Sequence, residues 1–423
     1  MSDTTHTGPM LAADGSPLKR SLERALRRQK LRALALIAPL LIFILVTFIA
    51  PIADMLFRSV ENEIVSETLP RTVVALKDWD PTLGELPDEA VFAAMAADLQ
   101  EAAKAKIHTR VGSRLNYETP GISSLFRKSG RQASKWDLEK DGPFKDVLIK
   151  SEKGWGELDV WKTIQVYSPK YTNGYFLNAV DLEKTASGIS PRDEDQQIYI
   201  TLFLRTFAMS IGITLSCLML GYPVAWLLSN LPSRSSNLLM ILVLLPFWTS
   251  LLVRTSAWKV LLQQQGVIND VLVWVGLVAN DDRLVMINNQ FGTVLAMTHI
   301  LLPFMILPLF SVMKTIPPSY LRAAKSLGAS NWTAFWRVYF PQSVPGIGAG
   351  SILVFILAVG YYITPELVGG TKGTFISNRI AFHISSSLNW GLAAALGAIL
   401  LGFVVLLYWV YDRLVGIDNV KLG

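Results

Sequence analysis

The chain has 423 residues, a formal net charge of +6, 51% hydrophobic residues and 17% charged residues. Soluble globular proteins carry about 25% charged residues, so much of this surface is expected to face something other than water. The positive excess lies beside apolar stretches, where it indicates membrane orientation, and we expect no nucleic-acid partner. The single cysteine, Cys217, excludes an intrachain disulfide. The histidines show no metal-ligand spacing, so neither a metal nor another cofactor is predicted.

Six apolar stretches are long enough to cross the membrane hydrocarbon, which takes about 20 helical residues. They cover residues 33–57, 207–228, 238–252 with an extension to 262 left open, 291–313, 347–368 and 392–411. Prolines interrupt the third and fourth stretches, and in transporter helices prolines often mark bends. The first stretch is too long for the apolar part of a signal peptide and precedes no small-residue cleavage site, so we predict an anchor.

Lysine and arginine residues set the predicted orientation, because short cytoplasmic segments are enriched in them. A basic tail over residues 1–32, disordered over 1–17, and the basic loop 314–345 would both lie in the cytoplasm, as would the end of the chain. The slightly acidic segment 58–198 would then be extracytoplasmic, and residues 199–423 would form the core with helices two to six. The predicted localisation is a bacterial inner membrane.

Segment 58–198 is too polar to span a membrane and too long to be a simple connection. Asp88 can begin a helix that places apolar residues on one face, at Phe92, Met95, Leu99 and Ala102. Strand-like runs occur at 72–76 and 163–167. We therefore predict a small α/β insertion between the first and second transmembrane helices.

The loop 314–345 predicts two helices outside the bilayer. The first can extend to Leu327, and Gly328 supplies the left-handed residue that ends it. Ser330 or Asn331 can cap the second, which should stop near Pro341. The first helix carries a small-sided apolar face that would fit a groove in a partner, made by Tyr320, Ala323, Ala324 and Leu327. The second carries an aromatic stripe expected to pack under the membrane domain, made by Trp332, Phe335, Trp336 and Tyr339. An interfacial hairpin without a partner is the alternative.

This loop resembles the EAA motif of binding-protein-dependent ABC importer permeases. The matching positions are Ala323, Ala324, Gly328 and Pro341, whereas Arg322 stands where the motif has glutamate. Segments beginning at Leu204, Leu244 and Val359 resemble the spermidine/putrescine branch of the same family, as in VGYYITPELVGG. The insertion is not part of the common family pattern.

The resemblance implies an all-α membrane protein with six transmembrane helices and the α/β insertion. It also implies a second permease subunit, which is either another copy or, as is more usual in the family, a different chain. Two cytoplasmic ATPase subunits and a periplasmic solute-binding protein are implied as well. The implied ATPase-coupling residues are Tyr320, Leu321, Ala323, Ala324, Leu327, Gly328 and Pro341. Since the sequence contains no phosphate-binding GxxxxGK[ST] loop, we expect a non-catalytic subunit whose partner hydrolyses ATP.

Five ionisable or aromatic residues in or near the spans are candidates for the solute pathway, since charges there are costly. They are Trp248, Arg254, Tyr361, Tyr362 and Glu366. Aromatic rings together with a carboxylate would suit the binding of an amine cation. In the alternative interpretation, the rings only anchor the helices at the membrane interface, and the long Arg254 side chain extends to that interface. A polyamine is the solute expected by resemblance, with ferric iron, sulfate, phosphonate or an opine as alternatives.

Two other classes of protein remain open on sequence alone. An ion-coupled secondary carrier should show an inverted repeat and several intramembrane acidic residues, and neither is visible. A membrane-anchored sensor would need a cytoplasmic signalling domain, which the short stretch after residue 411 does not provide.

Overall fold

The computed structural model of the protein describes residues 18–138 and 140–415. Contacts within the chain divide it into two units, one ending at Arg58 and one beginning at Ser59. The predicted disordered tail over residues 1–17 lies outside the described residues.

The first unit is one long helical stretch. It comprises Leu18–Ile44, a π-helical turn at Leu45–Ile49 and Ala50–Arg58. Large apolar side chains are exposed around it, among them Leu36 and Val46. A helix that is apolar on all sides suits surroundings of lipid, as predicted for the first span.

Residues 59–198, called here the inserted domain, are mainly helical. The α-helices are Glu63–Thr68, Pro70–Ala75, Glu89–Lys104, His108–Asn116, Ile122–Ala133, Phe144–Ser151, Leu158–Val166 and Gly174–Ala179. Short 3-10 turns lie at Leu76–Asp78, Pro81–Leu83, Lys153–Gly156 and Glu194–Gln196. A two-stranded antiparallel hairpin follows the last α-helix, with β1 at Leu182–Thr185 and β2 at Gly188–Pro191.

Aromatic side chains form the centre of the inserted domain. The ring of Trp161 lies 4.6 Å from that of Phe92 and 5.4 Å from that of Trp155, and all three side chains are fully buried. Each indole N–H is hydrogen-bonded, that of Trp155 to Ser129 and that of Trp161 to the Trp155 carbonyl. The domain therefore has its own core, in which the aromatic rings pack together and the buried indole N–H groups are hydrogen-bonded.

The helix predicted after Asp88 is confirmed. The Asp88 carboxylate accepts a hydrogen bond from the Val91 amide at 3.2 Å, and the predicted face is buried. The two predicted strands are wrong, because residues 72–76 and 163–167 lie mainly in helices. Burial there repeats every three or four residues, as at Val65, Leu69, Thr72 and Leu76, and this is the helical period rather than the strand period.

The rest of the second unit contains the membrane helices. The long ones are Tyr199–Asn230, Gln290–Thr315, Phe340–Gly360 and Trp390–Val415. The shorter ones are Ser233–Leu244, Leu251–Leu261, Val267–Trp274, Pro318–Ser326, Asn331–Ala334, Ile363–Val368, Gly370–Gly373 and Ile376–Ser385. Leu245–Trp248 and Asn280–Asp282 are 3-10 turns, and Phe335–Tyr339 is a π-helical turn.

Among the described residues, five helices are long and apolar enough to cross a membrane, and a bent pair makes a sixth if counted as one span. Small residues allow close packing between these helices. Met305 of the fourth span lies against Gly221 of the second and Gly350 of the fifth, where an added Cβ would crowd its side chain. Packing on small residues is the usual way in which helices associate within a bilayer.

Two of the predicted spans differ in the structure: one is broken by a sharp bend, and the other ends earlier than predicted. The third is broken, since Ser233–Trp248 and Leu251–Leu261 meet at 92°. Pro246 lies in the 3-10 turn before this break, where a proline without an N–H disrupts a helix. The fifth ends at Gly360 instead of continuing to residue 368, so Tyr361 and Tyr362 are not inside it.

Candidate functional site

The second and fourth spans end close together, and the EAA-like loop follows there. The Lys314 ammonium donates to the Ser229 carbonyl at 3.3 Å and so links the two helix ends. At the opposite end of the second span, Asp181 of the inserted domain accepts hydrogen bonds from the amides of Tyr199 and Ile200 at 2.9 and 2.8 Å. The second span therefore meets the EAA-like loop at one end and the inserted domain at the other.

Gly328 ends the first loop helix as predicted. Its φ is +89°, in the left-handed region that favours glycine, and no atom lies within 4 Å of where a Cβ would be. The Gly328 amide donates to the Lys325 carbonyl at 3.0 Å, and the Ala329 amide donates to the Ala324 carbonyl at 3.1 Å. These two bonds form a Schellman cap, so backbone conformation, not crowding, requires glycine here.

The outer face of this helix is apolar and uncovered. Leu327 is 89% exposed and Tyr320 is 51% exposed, and Ala323 between them is exposed as well. Ala324 lies at the edge and is half-buried, whereas Leu321 packs against the core of the spans. The predicted coupling residues thus divide into an outward set and an inward anchor, Leu321. Large exposed apolar residues on a short helix indicate a contact surface.

The second loop helix begins as predicted but does not stop at Pro341. The Ser330 hydroxyl accepts from the Thr333 amide at 3.2 Å, which identifies the cap. The helix then continues through Pro341 to Gly360 as one apolar stretch. A π-helical turn precedes the proline, with the Phe340 amide bonded to the Phe335 carbonyl. This wider turn changes the hydrogen-bond register just before the residue that lacks an N–H.

The aromatic stripe of that helix splits between two environments. Tyr339 is buried and Phe335 packs against the core, where its ring meets Tyr222 edge-on at 6.2 Å. Trp332 and Trp336 instead pair with each other at 5.5 Å and remain 71% and 43% exposed. The expectation that the whole stripe packs under the spans is therefore wrong for the two tryptophans.

The break after Gly360 brings three predicted pathway residues together. Side chains of the next helix hold the interrupted backbone. Ser377 Oγ donates to the Tyr361 carbonyl at 2.5 Å, and Asn378 Nδ2 donates to the Tyr362 carbonyl at 2.9 Å. Asn378 Nδ2 also donates to Glu366 Oε2 at 2.6 Å. The Tyr362 ring and the Glu366 side chain are exposed, so an aromatic surface and a carboxylate lie at one helix break.

The bent third span packs beside this break. Thr255 Oγ1 lies 3.1 Å from Thr364 Oγ1 in a buried contact. Arg254 is near enough to Tyr361 for an electrostatic interaction, and its buried Nε has no hydrogen-bond partner among the described residues. Within that same part of the chain, the 84% exposed ring of Trp248 makes no hydrogen bond or ring contact with the group. The structure thus adds Arg254 to the cluster and leaves Trp248 apart.

The inserted domain contacts the core through residues that sequence reasoning missed. Tyr117 Oη donates to the Ser387 carbonyl, and the Tyr175 ring packs on Gly391 at the start of the sixth span. Behind Tyr175 lies a buried ion pair in which Arg114 Nη1 is 2.8 Å from Glu118 Oε1. The spacing of Arg114 and Glu118 by four residues signals a helical ion pair but gives no indication of its burial.

His383 connects this contact to the second span. Its Nε2 is 2.9 Å from the Tyr199 hydroxyl and its Nδ1 is 2.8 Å from Ser387 Oγ. Burial, with a smaller effect of the Arg379 guanidinium, lowers the pKa of His383 to about 4. The imidazole is therefore neutral near pH 7 and can donate from one nitrogen and accept at the other.

Residues 205–416 match the family described as binding-protein-dependent transport system inner membrane component. The chain is 36% identical over 285 residues to the spermidine/putrescine transport system permease protein PotB of Salmonella typhimurium (strain SL1344). That alignment covers 66% of this chain and 96% of the relative. The PotB protein of Escherichia coli (strain K12) is 36% identical over 220 residues, covering 51% of this chain and 79% of the relative.

The inner membrane ABC transporter permease protein YdcU of Escherichia coli (strain K12) is 33% identical over 239 residues, covering 53% of this chain and 74% of the relative. A solved bacterial alginate ABC transporter, in complex with alginate pentasaccharide-bound periplasmic protein, matches with a TM-score of 0.44 and 18% identity. That match covers 53% of this chain and 80% of the other. By the family match and the PotB identity, the chain belongs to the binding-protein-dependent transport system inner membrane components.

Proposed function

We propose that this chain is the pore-forming permease subunit of an ATP-binding-cassette importer and that its helix Pro318–Ser326 docks on a separate ATPase subunit. The single observation that carries this proposal is the exposed apolar face of that helix, which Gly328 ends in a Schellman cap. ATP would be hydrolysed on the partner. Closure of the two ATPase subunits would then move the helix and shift the spans between two arrangements.

We further propose that the loop end of the spans is cytoplasmic. The loop carries a local excess of positive charge, with Lys314, Arg322, Lys325 and Arg337, as expected of a short cytoplasmic segment. Both ends of the chain would then be cytoplasmic, and the insertion at 58–198 would face the periplasm. A solute-binding protein would deliver the solute to that side, and a second, different permease subunit would complete the pore.

The solute that we propose is a polyamine. The PotB relatives are named for spermidine and putrescine transport, and Glu366 and Tyr362 offer an exposed carboxylate and an exposed ring at the helix break. An ammonium group would gain from both contacts. Arg254 has the same sign of charge as the solute, so we assign the amine contact to Tyr362 and Glu366 and not to Arg254.

Uptake into proteoliposomes tests the proposal. The chain would be reconstituted with a partner permease, an ATPase subunit and a solute-binding protein from the same organism, and uptake of radiolabelled spermidine, putrescine and sulfate would be compared with and without ATP. We expect uptake of a polyamine that requires both ATP and the binding protein. Uptake of sulfate alone would overturn the polyamine assignment, and uptake without the ATPase subunit would overturn the ABC mechanism.

A further inference from the structure

The helix Ile376–Ser385, called here the strut helix, connects the inserted domain to the break after the fifth span. Its first turn carries Ser377 and Asn378, which bind the backbone and the carboxylate of the break. Its last turn carries His383, and Ser387, to which the inserted domain bonds, lies just beyond the C-cap residue Ser386. One helix of 10 residues therefore joins the hydrogen bonds at the break to those made by the inserted domain.

At the N-terminal end of the strut helix, the acceptor and both donor hydrogens of the Asn378 side-chain amide are hydrogen-bonded. Its Oδ1 accepts from the Phe375 amide at 2.9 Å, and its Nδ2 donates to the Tyr362 carbonyl and to Glu366. The side chain is 7% exposed, and one acceptor with two donors fixes which way the amide faces. Asn378 therefore holds the Glu366 carboxylate in one orientation relative to the Tyr362 backbone.

The inserted domain fixes the other end. Tyr117, which directly follows the helix His108–Asn116 of that domain, donates from Oη to the Ser387 carbonyl. Ser387 Oγ in turn meets His383 Nδ1, and His383 Nε2 meets the Tyr199 hydroxyl on the second span. Movement of the inserted domain relative to the spans must therefore change the hydrogen bonds of the strut helix.

We propose that the strut helix makes Glu366 responsive to the inserted domain, with Asn378 as the positioning residue that carries the effect to the carboxylate. This inference rests on the proposed function, because it takes Glu366 as a contact for the solute. The inserted domain then adjusts how well the outer end of the pathway binds a cationic solute, and it does so without contacting the solute. A domain that merely adds stability would alter the amount of assembled transporter and not its apparent affinity.

A double-mutant cycle in proteoliposomes containing the full complex tests this link. Tyr117→Phe removes one hydroxyl and keeps the ring, and we expect it to raise the KM for spermidine about fivefold at unchanged maximal rate, as the loss of one hydrogen bond allows. Asn378→Asp should raise the KM about tenfold, because it removes both donors and places a like charge beside Glu366. In the Glu366→Gln background, Tyr117→Phe should have no further effect.

Ser124→Ala is the matched control, since it removes a hydroxyl whose bond, to the Gly121 carbonyl, is local to the inserted domain. It should leave the KM unchanged in both backgrounds. Independent effects of Tyr117→Phe and Glu366→Gln would overturn the link while leaving the proposed function intact. An unchanged KM in Glu366→Gln would overturn both the solute contact and this inference.

Hydrogen–deuterium exchange of the assembled complex gives a second measurement that does not depend on transport. Tyr117→Phe should speed exchange in peptides covering residues 361–369, and Ser124→Ala should not. Unchanged exchange over those residues in Tyr117→Phe would overturn the inference even if uptake were altered.

Discussion

The ring of Tyr175 occupies the space that any side chain at Gly391 would need. An ideal Cβ on Gly391 would overlap the ring carbons of Tyr175. Tyr175 is itself buried, with an exposed fraction of 4%. The Arg114 guanidinium lies over the Tyr175 ring, with its Cζ 4.5 Å from the ring centroid. The inserted domain therefore rests on the sixth span through a contact that admits only glycine on the helix side.

Gly391→Val should weaken the seating of the inserted domain. The added side chain cannot displace Tyr175 without disturbing the cation–π contact behind it, and overpacking of this kind costs about 1–3 kcal/mol. Limited proteolysis of the purified protein should cut the domain faster and at lower protease concentration. Gly397→Val is the control, because no atom lies within 4 Å of a Cβ at Gly397. Equal proteolysis of the two variants would contradict the packing argument.

Gly328→Val should leave the protein in the membrane but uncouple ATP hydrolysis from uptake. A β-branched residue in the left-handed region costs about 1–2 kcal/mol, so the Schellman cap should open and the end of the helix should fray. The measurement is uptake per ATP hydrolysed in proteoliposomes. Gly212→Val provides the comparison, since Gly212 also has open space around a Cβ but lies inside a helix. Normal uptake by Gly328→Val would refute the role of the cap.

Ala323→Asp should abolish co-purification of the ATPase subunit. Ala323 is exposed between Tyr320 and Leu327, so a carboxylate there would be buried without a partner on docking. The half-buried Ala324 is a less direct position for the same test, although Ala324→Asp should have the same effect. Lys325→Gln is the control, because it lowers the net charge by the same amount on the opposite side of the helix. The ATPase subunit should still co-purify with this variant. Recovery of the ATPase with Ala323→Asp would show that this face is not the docking surface.

Local sequence rules were enough to predict the elements that depend only on nearby residues. The six apolar stretches, the helix after Asp88 and the stop at Gly328 each depend on local rules of length, capping or backbone conformation. The break after Gly360 could not be found this way, because Tyr361 and Tyr362 continue the apolar pattern. What ends the helix there is a set of hydrogen bonds from Ser377 and Asn378, which lie on another element.

The two wrong strands show the same limit in the inserted domain. Residues 72–76 are rich in β-branched side chains, but Thr72 is turned inward by Asp98, which accepts from both its amide and its hydroxyl at 2.8 Å. Burial of that carboxylate at 1% exposure requires donors from a distant helix. Tertiary contact therefore outweighs strand propensity at these residues, as it often does.

The pH dependence of stability should report the contact at His383. Burial and Arg379 lower the pKa of His383 to about 4 from an ordinary 6.5, so the folded protein takes up this proton less readily than the unfolded chain. Stability should therefore be unaffected by this group above about pH 6.5 and should fall as the pH decreases toward 4. The groups that face the imidazole are the Tyr199 hydroxyl, Ser387 Oγ and the Arg379 guanidinium.

His383→Gln separates this contribution from that of other titrating groups. Glutamine can still donate and accept hydrogen bonds but carries no proton equilibrium, so the variant should lose less Tm than the parent between about pH 7 and about pH 5. Thermal unfolding in lipid nanodiscs measures both curves under identical salt. Parallel curves would mean that His383 is already solvated in the fold. That result would also remove the buried link between the strut helix and the second span, because a hydrated imidazole could not hold Tyr199 and Ser387 together.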